Sequence, residues 1–389
     1  MARLFYGTSH SMKRKIFLLY PYYWPLYKAG GPVQSLHNLV SIFKDQAVFY
    51  LVSLDKDIDG SVPLEPLHTN EWSVGQNNEN VYYTSFLSPF LLARLIYKIK
   101  PDVIMINGMF HWHTTLFGLL FGKMRRNKII ISPRGMLQDW ALKRGATKKL
   151  VFLSIVKLLL KTDEVWHATD ELEKADILRH FGEAQQVHIA SNIPRPVGEI
   201  FSIPIPNPDG KITIVFLSLI NPNKNLHLII DSVNQLGGKF IVDIYGPIID
   251  SDYWQLCRGK IIDESIVCYK GSVPPWEVPK ILQGYHFFVL PTQGENFGHA
   301  IFDALASGVP VVITDRTPWK GLDSFNAGFY INLDDSESLV NTLKTISFLS
   351  QEQYQKYRTQ SIGYAKNYLA GKDYFKEYNF LIGSPSLFS

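Results

Sequence analysis

The stretch PTQGENFGHAIFDALASGVP, residues 291–310, decides the fold prediction because it follows a short apolar run, Phe287–Leu290, typical of a buried strand. Its first half is a glycine-rich loop that carries Glu295. Its second half has the pattern of a helix that carries Asp303 and ends at Gly308. Glycine lets the backbone approach a ligand, and the free N–H groups at a helix N-terminus attract an anion. The block therefore predicts a strand, an anion-binding loop and a helix.

The two carboxylates of this block are eight residues apart, which is close to two turns of an α-helix. We therefore expect Glu295 and Asp303 to face the same side. Taken alone, Asp303 is equally well explained as a solvated helix residue. His299 lies in the same loop, and its contact with a ligand is an open alternative to plain packing.

Outward from this block, short apolar runs alternate with helical patterns, which favours βαβ units and parallel sheets. The expected strands are Ile16–Tyr20, Ala47–Val52, Val103–Ile106, Ile129–Ile131, Val165–Ala168, Ile212–Leu217, Phe240–Tyr245, Ile266–Tyr269, Phe287–Leu290 and Val309–Ile313. The expected helices are Pro32–Phe43, Pro89–Ile99, Leu226–Leu236, Val278–Gln283, Ala300–Ala306, Ser336–Ser347 and Gln351–Phe380.

A proline-rich stretch, residues 193–210, interrupts this alternation and predicts a stiff linker between two α/β domains. We assign residues 1–195 to a first, acceptor-side domain and 196–365 to a second, nucleotide-binding domain. Residues 366–389 are expected to return as a helical segment to the first domain. Two doubly wound domains leave a cleft between them, and ligands bind at the carboxyl ends of such strands.

The amino-acid composition further restricts the class of protein. The chain of 389 residues is 46% hydrophobic and 19% charged, which excludes a disordered or low-complexity protein. Its net charge of +4 combines +8 over residues 1–195 with −4 over residues 196–389. Two cysteines form no disulfide framework or zinc site, so a reducing cytosol is the simplest prediction. No apolar run approaches the length of a signal or membrane segment.

Three further motifs follow predicted strands. Gly30-Gly31-Pro32 opens a helix, and its backbone is suited to an anion, although an ordinary turn explains it equally well. Arg134, after the strand at 129–131, can bind phosphate or carboxylate, or lie at a surface turn. Lys224 precedes the helix at Leu226, where a cation is unfavourable unless an anion lies nearby. Asn221 or Asn223 is expected to cap that helix.

Together these residues resemble family 4 retaining glycosyltransferases, which have the GT-B fold of two Rossmann-like domains facing across a cleft. The block at 291–310 resembles their E-x7-E signature. Gly30-Gly31 resembles their glycine loop, the strand and loop at 214–226 their diphosphate segment, and Gly246 and Gly271-Ser272-Val273 their nucleoside-side loops. The run at 132–137 and Thr317-Pro318-Trp319 resemble a bacterial subgroup that builds cell-surface polysaccharide.

The resemblance implies a nucleotide-sugar donor bound by the second domain and a glycan or lipid-linked acceptor on the first. It implies that Glu295 binds hydroxyls of the donor sugar and that Asp303, one methylene shorter than the usual acid, binds the ribose. Lys224 would neutralise the departing diphosphate. No cofactor is implied, and we predict that no metal is required.

The same resemblance assigns donor contacts to the loop itself. The backbone at Asn296, Phe297 and Gly298 would hold the sugar and the phosphate.

One difference between this chain and the family pattern concerns the residues that bind the diphosphate. The family usually has an arginine where this chain has Leu219. Either Arg134 or Lys28 supplies the missing charge, or catalysis is weak. The family often has a histidine at the position of Arg134, which favours Arg134.

His111 and His113 follow the strand at 103–106 in an aromatic loop near the expected acceptor side. Loop packing, acceptor contact and metal binding remain open for them, with packing favoured.

The segment 143–161 surrounds the apolar runs Leu150–Leu153 and Leu158–Leu160 with six basic residues, as in an amphipathic helix that lies on an anionic membrane. These are Lys143, Arg144, Lys148, Lys149, Lys157 and Lys161. A core helix with a solvated basic face explains the pattern equally well. Nucleic-acid binding is not expected. We predict a cytoplasmic protein, peripheral on the inner face of the cytoplasmic membrane.

Three functions remain open. The first is a retaining glycosyltransferase of lipopolysaccharide, capsule or exopolysaccharide synthesis. The second is a sugar-nucleotide epimerase on the same fold. The third, favoured only by Leu219 and Asp303, is a catalytically impaired partner subunit.

Overall fold

A computed structural model describes residues 13–63, 66–143, 145–160, 163–198 and 210–383. The described chain forms two α/β units, each built on a mainly parallel sheet. Three of the five prolines that predict the linker, Pro204, Pro206 and Pro208, lie outside the described residues.

The first sheet has eight strands in the order β3-β4-β2-β1-β5-β6-β7-β8, parallel except for the β3–β4 pair. They are β1 (Arg14–Leu19), β2 (Ala47–Leu54), β3 (Trp72–Val74), β4 (Asn80–Thr84), β5 (Val103–Asn107), β6 (Lys128–Ser132), β7 (Val165–Ala168) and β8 (Gln186–Ile189). Its helices are α1 (Gly31–Phe43), α2 (Pro89–Ile99), α3 (Gly118–Met124), α4 (Asp139–Lys143), α5 (Ala146–Leu159) and α6 (Glu171–Phe181).

The second sheet has six parallel strands in the order β11-β10-β9-β12-β13-β14. They are β9 (Ile212–Leu217), β10 (Phe240–Tyr245), β11 (Val267–Gly271), β12 (Phe287–Leu290), β13 (Val311–Thr314) and β14 (Gly328–Ile331). The helices that follow are α7 (Leu226–Gln235), α8 (Ser251–Gly259), α9 (Val278–Leu282), α10 (His299–Ala306), α11 (Ser338–Ser347), α12 (Gln351–Ala370) and α13 (Tyr374–Ile382).

Alternation along β1 explains why the first sheet is buried on both faces. Ile16 and Leu18 belong to one apolar cluster, whereas Phe17 and Leu19 belong to another on the opposite face. Successive side chains of a strand point to opposite faces, so a continuous apolar run suits a sheet with helices on both sides. The strand order reverses beside β1 and again beside β9, and such points open a crevice for ligands.

The C-terminal region is two helices rather than the single helix expected over Gln351–Phe380. Helix α12 ends at Ala370, and Asp373 then caps α13 by accepting a hydrogen bond from the Lys376 N–H. The first of these helices packs in the core of the second domain through Tyr354, whereas α13 packs in the first domain through Tyr378. The chain therefore crosses back between the domains at this break.

Candidate active site

The carboxyl ends of β1, β9 and β12 meet at a cavity of about 290 Å³ between the two domains. Eleven of the thirteen residues proposed from the sequence line it, namely Gly30, Gly31, Arg134, Lys224, Gly246, Glu295, Asn296, Phe297, Gly298, His299 and Asp303. The cavity thus brings together loops that are far apart in the sequence.

Lys224 and Glu295 form the central ion pair of this cavity. The Lys224 Nζ atom lies 2.5 Å from Glu295 Oε1, and both side chains are largely buried. Lys224 ends a 3-10 turn, Pro222–Lys224, in which the Asn221 side chain accepts from the Asn223 N–H. The expectation that Asn221 or Asn223 caps the following helix is therefore wrong: that helix, α7, begins after Asn225 without a side-chain cap.

The loop that carries Glu295 ends at Gly298, whose left-handed backbone (φ 78°) starts α10. Glu295 therefore precedes the helix, and the expectation that two helical turns align it with Asp303 is wrong. Both acids nevertheless line the cavity. The indole N–H of Trp319 donates to the Phe297 carbonyl at 2.6 Å and fixes the loop. The first N–H groups of α10 then remain available to an anion.

Asp303 lies inside α10 and is paired with Arg195, a residue that belongs to none of the sequence motifs. Arg195 Nη2 lies 2.9 Å from Asp303 Oδ2, and Asp303 is only 6% exposed. Burial raises the pKa of Asp303 to about 6, although the Arg195 guanidinium opposes this increase. Asp303 is thus a buried carboxylate with one charged partner.

Arg134 enters the cavity from the first domain. Its guanidinium donates to Asn192 Oδ1 at 2.7 Å and to Asn107 Oδ1 at 3.1 and 3.3 Å, and no described carboxylate pairs with it. The backbone beneath it is held by Glu173, which accepts from the Gly135 N–H at 2.6 Å. Arg134 is therefore a buried cation whose charge is left for a ligand.

Lys28, the other candidate to replace the arginine charge absent at Leu219, already has hydrogen-bond partners. Its ammonium donates to Asp59 at 2.7 Å and to Ser61 at 2.9 Å. Leu219 instead packs against the glycine loop, since a Cβ atom at Gly30 would lie 3.6 Å from its side chain. The geometry therefore favours Arg134 over Lys28.

The loop before α10 is docked on the first domain. Asn296 donates to Thr169 Oγ1 and accepts from the Asn192 amide, both at 2.8 Å. His299 Nε2 lies 2.8 Å from Ser35 Oγ. Burial, and then the Arg195 and Arg134 charges, lower the pKa of His299 to about 3, so the ring is neutral. These contacts hold the two domains together around the cavity.

Gly246 is required by a close approach of two strand ends. A Cβ atom there would lie 1.8 Å from the Ser218 carbonyl oxygen, and its φ of 138° also favours glycine. The absence of a side chain lets the loops after β9 and β10 share one cavity wall.

His111 and His113 do not line the cavity. The His111 ring packs edge-on against Tyr20, and His113 packs against Phe86 and Phe117. Burial lowers the pKa of His111 to about 4. Their contacts are those of a packed loop, and an acceptor role remains a prediction.

Within the described ranges, no group of three or more histidine, cysteine, aspartate or glutamate side chains is placed to hold a metal ion. A metal-free reaction stays a prediction.

Solved structures with the same arrangement identify the fold. HepE of Anabaena, solved with UDP and glucose, aligns with a TM-score of 0.70 over 91% of this chain and 95% of its own, at 18% identity. Sucrose-phosphate synthase of Thermosynechococcus elongatus aligns with a TM-score of 0.74 over 91% and 94%, at 13% identity. The protein has the GT-B fold. The predicted fold class is thereby confirmed.

The second domain of this GT-B protein also matches a family model. Residues 211–347 match the family described as Glycosyl transferases group 1. A curated relative, the GDP-mannose:cellobiosyl-diphosphopolyprenol alpha-mannosyltransferase of Xanthomonas oryzae pv. oryzae, is 26% identical over 110 residues. That match covers 27% of this chain and 29% of the relative. The glycosyltransferase character of the fold is thus supported from both sequence and structure.

Proposed function

We propose that this protein is a retaining glycosyltransferase that transfers a sugar from a nucleotide-sugar donor to a lipid-linked glycan acceptor in bacterial surface-polysaccharide synthesis. The observation that carries the proposal is the buried Lys224–Glu295 pair at the N-terminus of α10, inside a cavity between two domains. A carboxylate there can accept hydrogen bonds from sugar hydroxyls, while the ammonium and helix N–H groups stabilise a diphosphate.

Transfer breaks the bond between the anomeric carbon and the diphosphate oxygen and forms a bond to the acceptor oxygen on the same face. The departing phosphate oxygen accepts the acceptor's proton, so no protein nucleophile is needed. Lys224 stabilises the negative charge that develops on the diphosphate, and Arg134 supplies the second cation, because position 219 is a leucine instead of the family's arginine. HepE, solved with UDP-glucose, and the mannosyltransferase relative, named for GDP-mannose, support a nucleotide-sugar donor.

The acceptor side is proposed to face a membrane. Helix α5 buries Phe152 and exposes Leu150, Val151 and Leu158, the last at 86%. Lys148 and Lys157 are exposed on the same helix, whereas Arg144 and Lys161 lie outside the described residues. Apolar side chains beside exposed lysines suit an anionic lipid surface. The described helices include none with the length and apolar character to cross a membrane.

Turnover of a donor panel tests the enzymatic proposal. UDP-glucose, UDP-galactose, GDP-mannose and related donors are incubated with polyprenyl-diphosphate-linked oligosaccharides, with and without EDTA. We expect nucleoside diphosphate release that requires an acceptor and survives EDTA. Conversion of a donor into an epimer without an acceptor would favour the epimerase. Failure of every donor to bind or react would favour the impaired subunit.

Liposome flotation tests the membrane proposal. We expect the protein to float with vesicles that contain anionic lipid and to remain below with neutral vesicles. The variant with Leu150, Val151 and Leu158 replaced by serine should lose flotation, while Phe348→Ser, an exposed apolar control on the second domain, should keep it. Equal behaviour on both vesicle types would defeat the proposal.

A further inference from the structure

Glu173 is a buried carboxylate that reaches the cavity through a single hydrogen bond. It lies in the first turn of α6, is 1% exposed, and is not among the described residues that line the cavity. Its Oε1 atom accepts from the Gly135 N–H at 2.6 Å. Its Oε2 atom accepts from the Thr169 N–H at 2.8 Å and from the Thr169 hydroxyl at 2.7 Å. The two oxygens thus hold the turns that follow β6 and β7.

These contacts differ from those that the local sequence favours. Asp170 caps α6 by accepting from the Glu173 N–H, and an acid three residues after a cap usually accepts from the N–H of the cap itself. Glu173 instead accepts from Thr169, which precedes the cap, and from Gly135, which is 38 residues away. Its side chain therefore serves a second turn as well as its own helix.

The Thr169 hydroxyl begins a chain of hydrogen bonds that leads to the Arg134 guanidinium. Thr169 Oγ1 accepts from Asn296 Nδ2, and Asn296 Oδ1 accepts from Asn192 Nδ2, both at 2.8 Å. Asn192 Oδ1 in turn accepts from Arg134 Nη1 at 2.7 Å. Because Arg134 is adjacent in sequence to the N–H that Glu173 holds, the chain closes into a ring. Asn296 brings the second domain into this ring.

Glu173 sets the direction of the bonds in this ring. A carboxylate only accepts, so the Thr169 hydroxyl gives it its single proton and can then only accept from the Asn296 amide. The Asn296 oxygen consequently faces Asn192, and the Asn192 oxygen faces Arg134. Hydrogen bonds that run in one direction polarise and strengthen one another. The buried acid thus places an acceptor against the guanidinium.

We propose that Glu173 is a positioning residue for sugar transfer: through this ring it aligns Arg134 with the donor diphosphate when the loop that carries Asn296 docks on the first domain. The inference deepens the proposed function and rests on it. Arg134 and Asn296 line the same cavity, so docking of the loop and alignment of the cation are a single event. Glu173 acts through Arg134 and not by contact with the substrate.

A double-mutant cycle in steady-state kinetics tests this role. The values of kcat and donor KM are measured for Glu173→Gln, Arg134→Gln and the double variant, with UDP-glucose or GDP-mannose and a polyprenyl-diphosphate-linked oligosaccharide. The matched control is Glu79→Gln. Glu79 is also a buried carboxylate of the first domain, and it accepts from the Tyr23 hydroxyl and the Asn77 N–H, outside the ring.

We expect Glu173→Gln to lower kcat about tenfold with little change in donor KM, because the aligned hydrogen bond to a charged group matters most as the diphosphate leaves. In the Arg134→Gln background the same change should lower kcat by less than about twofold, since the guanidinium to be aligned is gone. Glu79→Gln should keep both constants near those of the wild type. An equal loss of kcat in both backgrounds would make Glu173 a structural residue and overturn the proposal.

Two variants of Thr169 keep the proposal testable if Glu173→Gln does not fold, which thermal melting establishes. Thr169→Val removes the hydroxyl that accepts from Asn296 and should lower kcat at least threefold, as expected for a lost hydrogen bond. Thr169→Ser keeps the hydroxyl and should retain the wild-type kcat. Equal losses in the valine and serine variants would show that the ring does not align Arg134.

Calorimetric titration of UDP and GDP gives a readout that needs no turnover. Both end in the free diphosphate that the reaction releases, with more negative charge than the donor carries. Glu173→Gln and Arg134→Gln should each weaken binding of the preferred nucleotide about tenfold, and the double variant should weaken it no further. This coupling without turnover of any donor would overturn the proposed function alone. Unchanged turnover and nucleotide binding in Glu173→Gln would overturn the positioning role alone, and a wild type that neither binds nor reacts would overturn both.

Discussion

The charges around the cavity differ in how fully they are already paired. Lys224 and Lys28 each contact a carboxylate, whereas Arg134 donates to the amide oxygens of Asn107 and Asn192 and pairs with no described carboxylate. Burying a cation without an anion is unfavourable, and a bound anion offsets that cost. Arg134 is accordingly the cation that we expect to contribute most to the binding free energy of a diphosphate.

Arg134→Gln should therefore lower kcat/KM by about 10- to 100-fold, the range expected when a charge-assisted hydrogen bond is lost. Lys28→Gln is the matched control and should change kcat/KM by less than about threefold, because Asp59 and Ser61 already hold that ammonium. Steady-state kinetics measure both variants. Full activity of Arg134→Gln would remove Arg134 from the donor site.

Asp303 gives the site a pH dependence. Because burial raises its pKa to about 6, the carboxylate is protonated below that pH and charged above it. Affinity for UDP-glucose or GDP-mannose should therefore rise between pH 5 and pH 7, with a midpoint near 6. His299 does not titrate in this window, since its pKa is lowered to about 3.

Calorimetric titration of these nucleotide sugars at several pH values measures the effect. Their diphosphate diesters keep a constant charge across the window, so the protein alone titrates. In Asp303→Asn the midpoint near pH 6 should disappear. A midpoint that persists in Asp303→Asn would assign the titration to another group.

At the scale of elements, the turn after β6 couples the domains. Gly135 has a positive φ of 75°, and a Cβ atom there would lie 2.9 Å from Asn296 Cβ. Gly135→Ala should thus push the α10 loop away from the first domain and lower kcat/KM at least tenfold. Gly145→Ala is the control: it has a similar φ of 70° but no atom within 4 Å.

Both alanine variants carry the backbone strain of a positive φ, so both should lose about 1 kcal/mol of unfolding free energy. Urea denaturation of the two variants measures the backbone strain that they share. Steady-state kinetics measure the steric contact with Asn296, which only Gly135→Ala introduces. Equal activity of the two would show that contact between Gly135 and Asn296 does not matter to turnover.

The elements predicted best are those with long apolar runs or clear caps. Strands β2, β9 and β10 and helix α2 lie close to their predicted bounds, because burial on both faces or a proline start leaves a local signal. The short strands β3 and β8 lie at the two sheet edges and have no such run. Asp303 and Arg195 are 108 residues apart in the sequence, so no local pattern could have joined them.

At the scale of the whole molecule, the C-terminal helix ties the domains together. Tyr378 on α13 is 2% exposed in the first-domain core and donates to the Ser191 carbonyl at 3.0 Å. Ser191 also donates its N–H to Glu377. The segment that follows the second domain is therefore part of the packing of the first.

Tyr378→Ala should lower the free energy of unfolding of the first domain by about 3–5 kcal/mol, as for other large aromatic residues in cores. Tyr378→Phe, which removes the hydroxyl and keeps the ring, should cost about 1 kcal/mol. Urea denaturation followed by tryptophan fluorescence measures both. If Tyr378→Ala were as stable as wild type, α13 would not belong to the first-domain core.

Sugar transfer with retention is proposed to occur at the Lys224–Glu295 pair between the domains. Time-resolved proton NMR of the reaction between a nucleotide sugar and a polyprenyl-diphosphate-linked oligosaccharide tests it most directly. We predict that an α-configured donor gives an α-linked product and that Lys224→Gln slows its formation by about 10²–10³-fold. A β-linked product, or unchanged turnover in Lys224→Gln, would contradict this proposal.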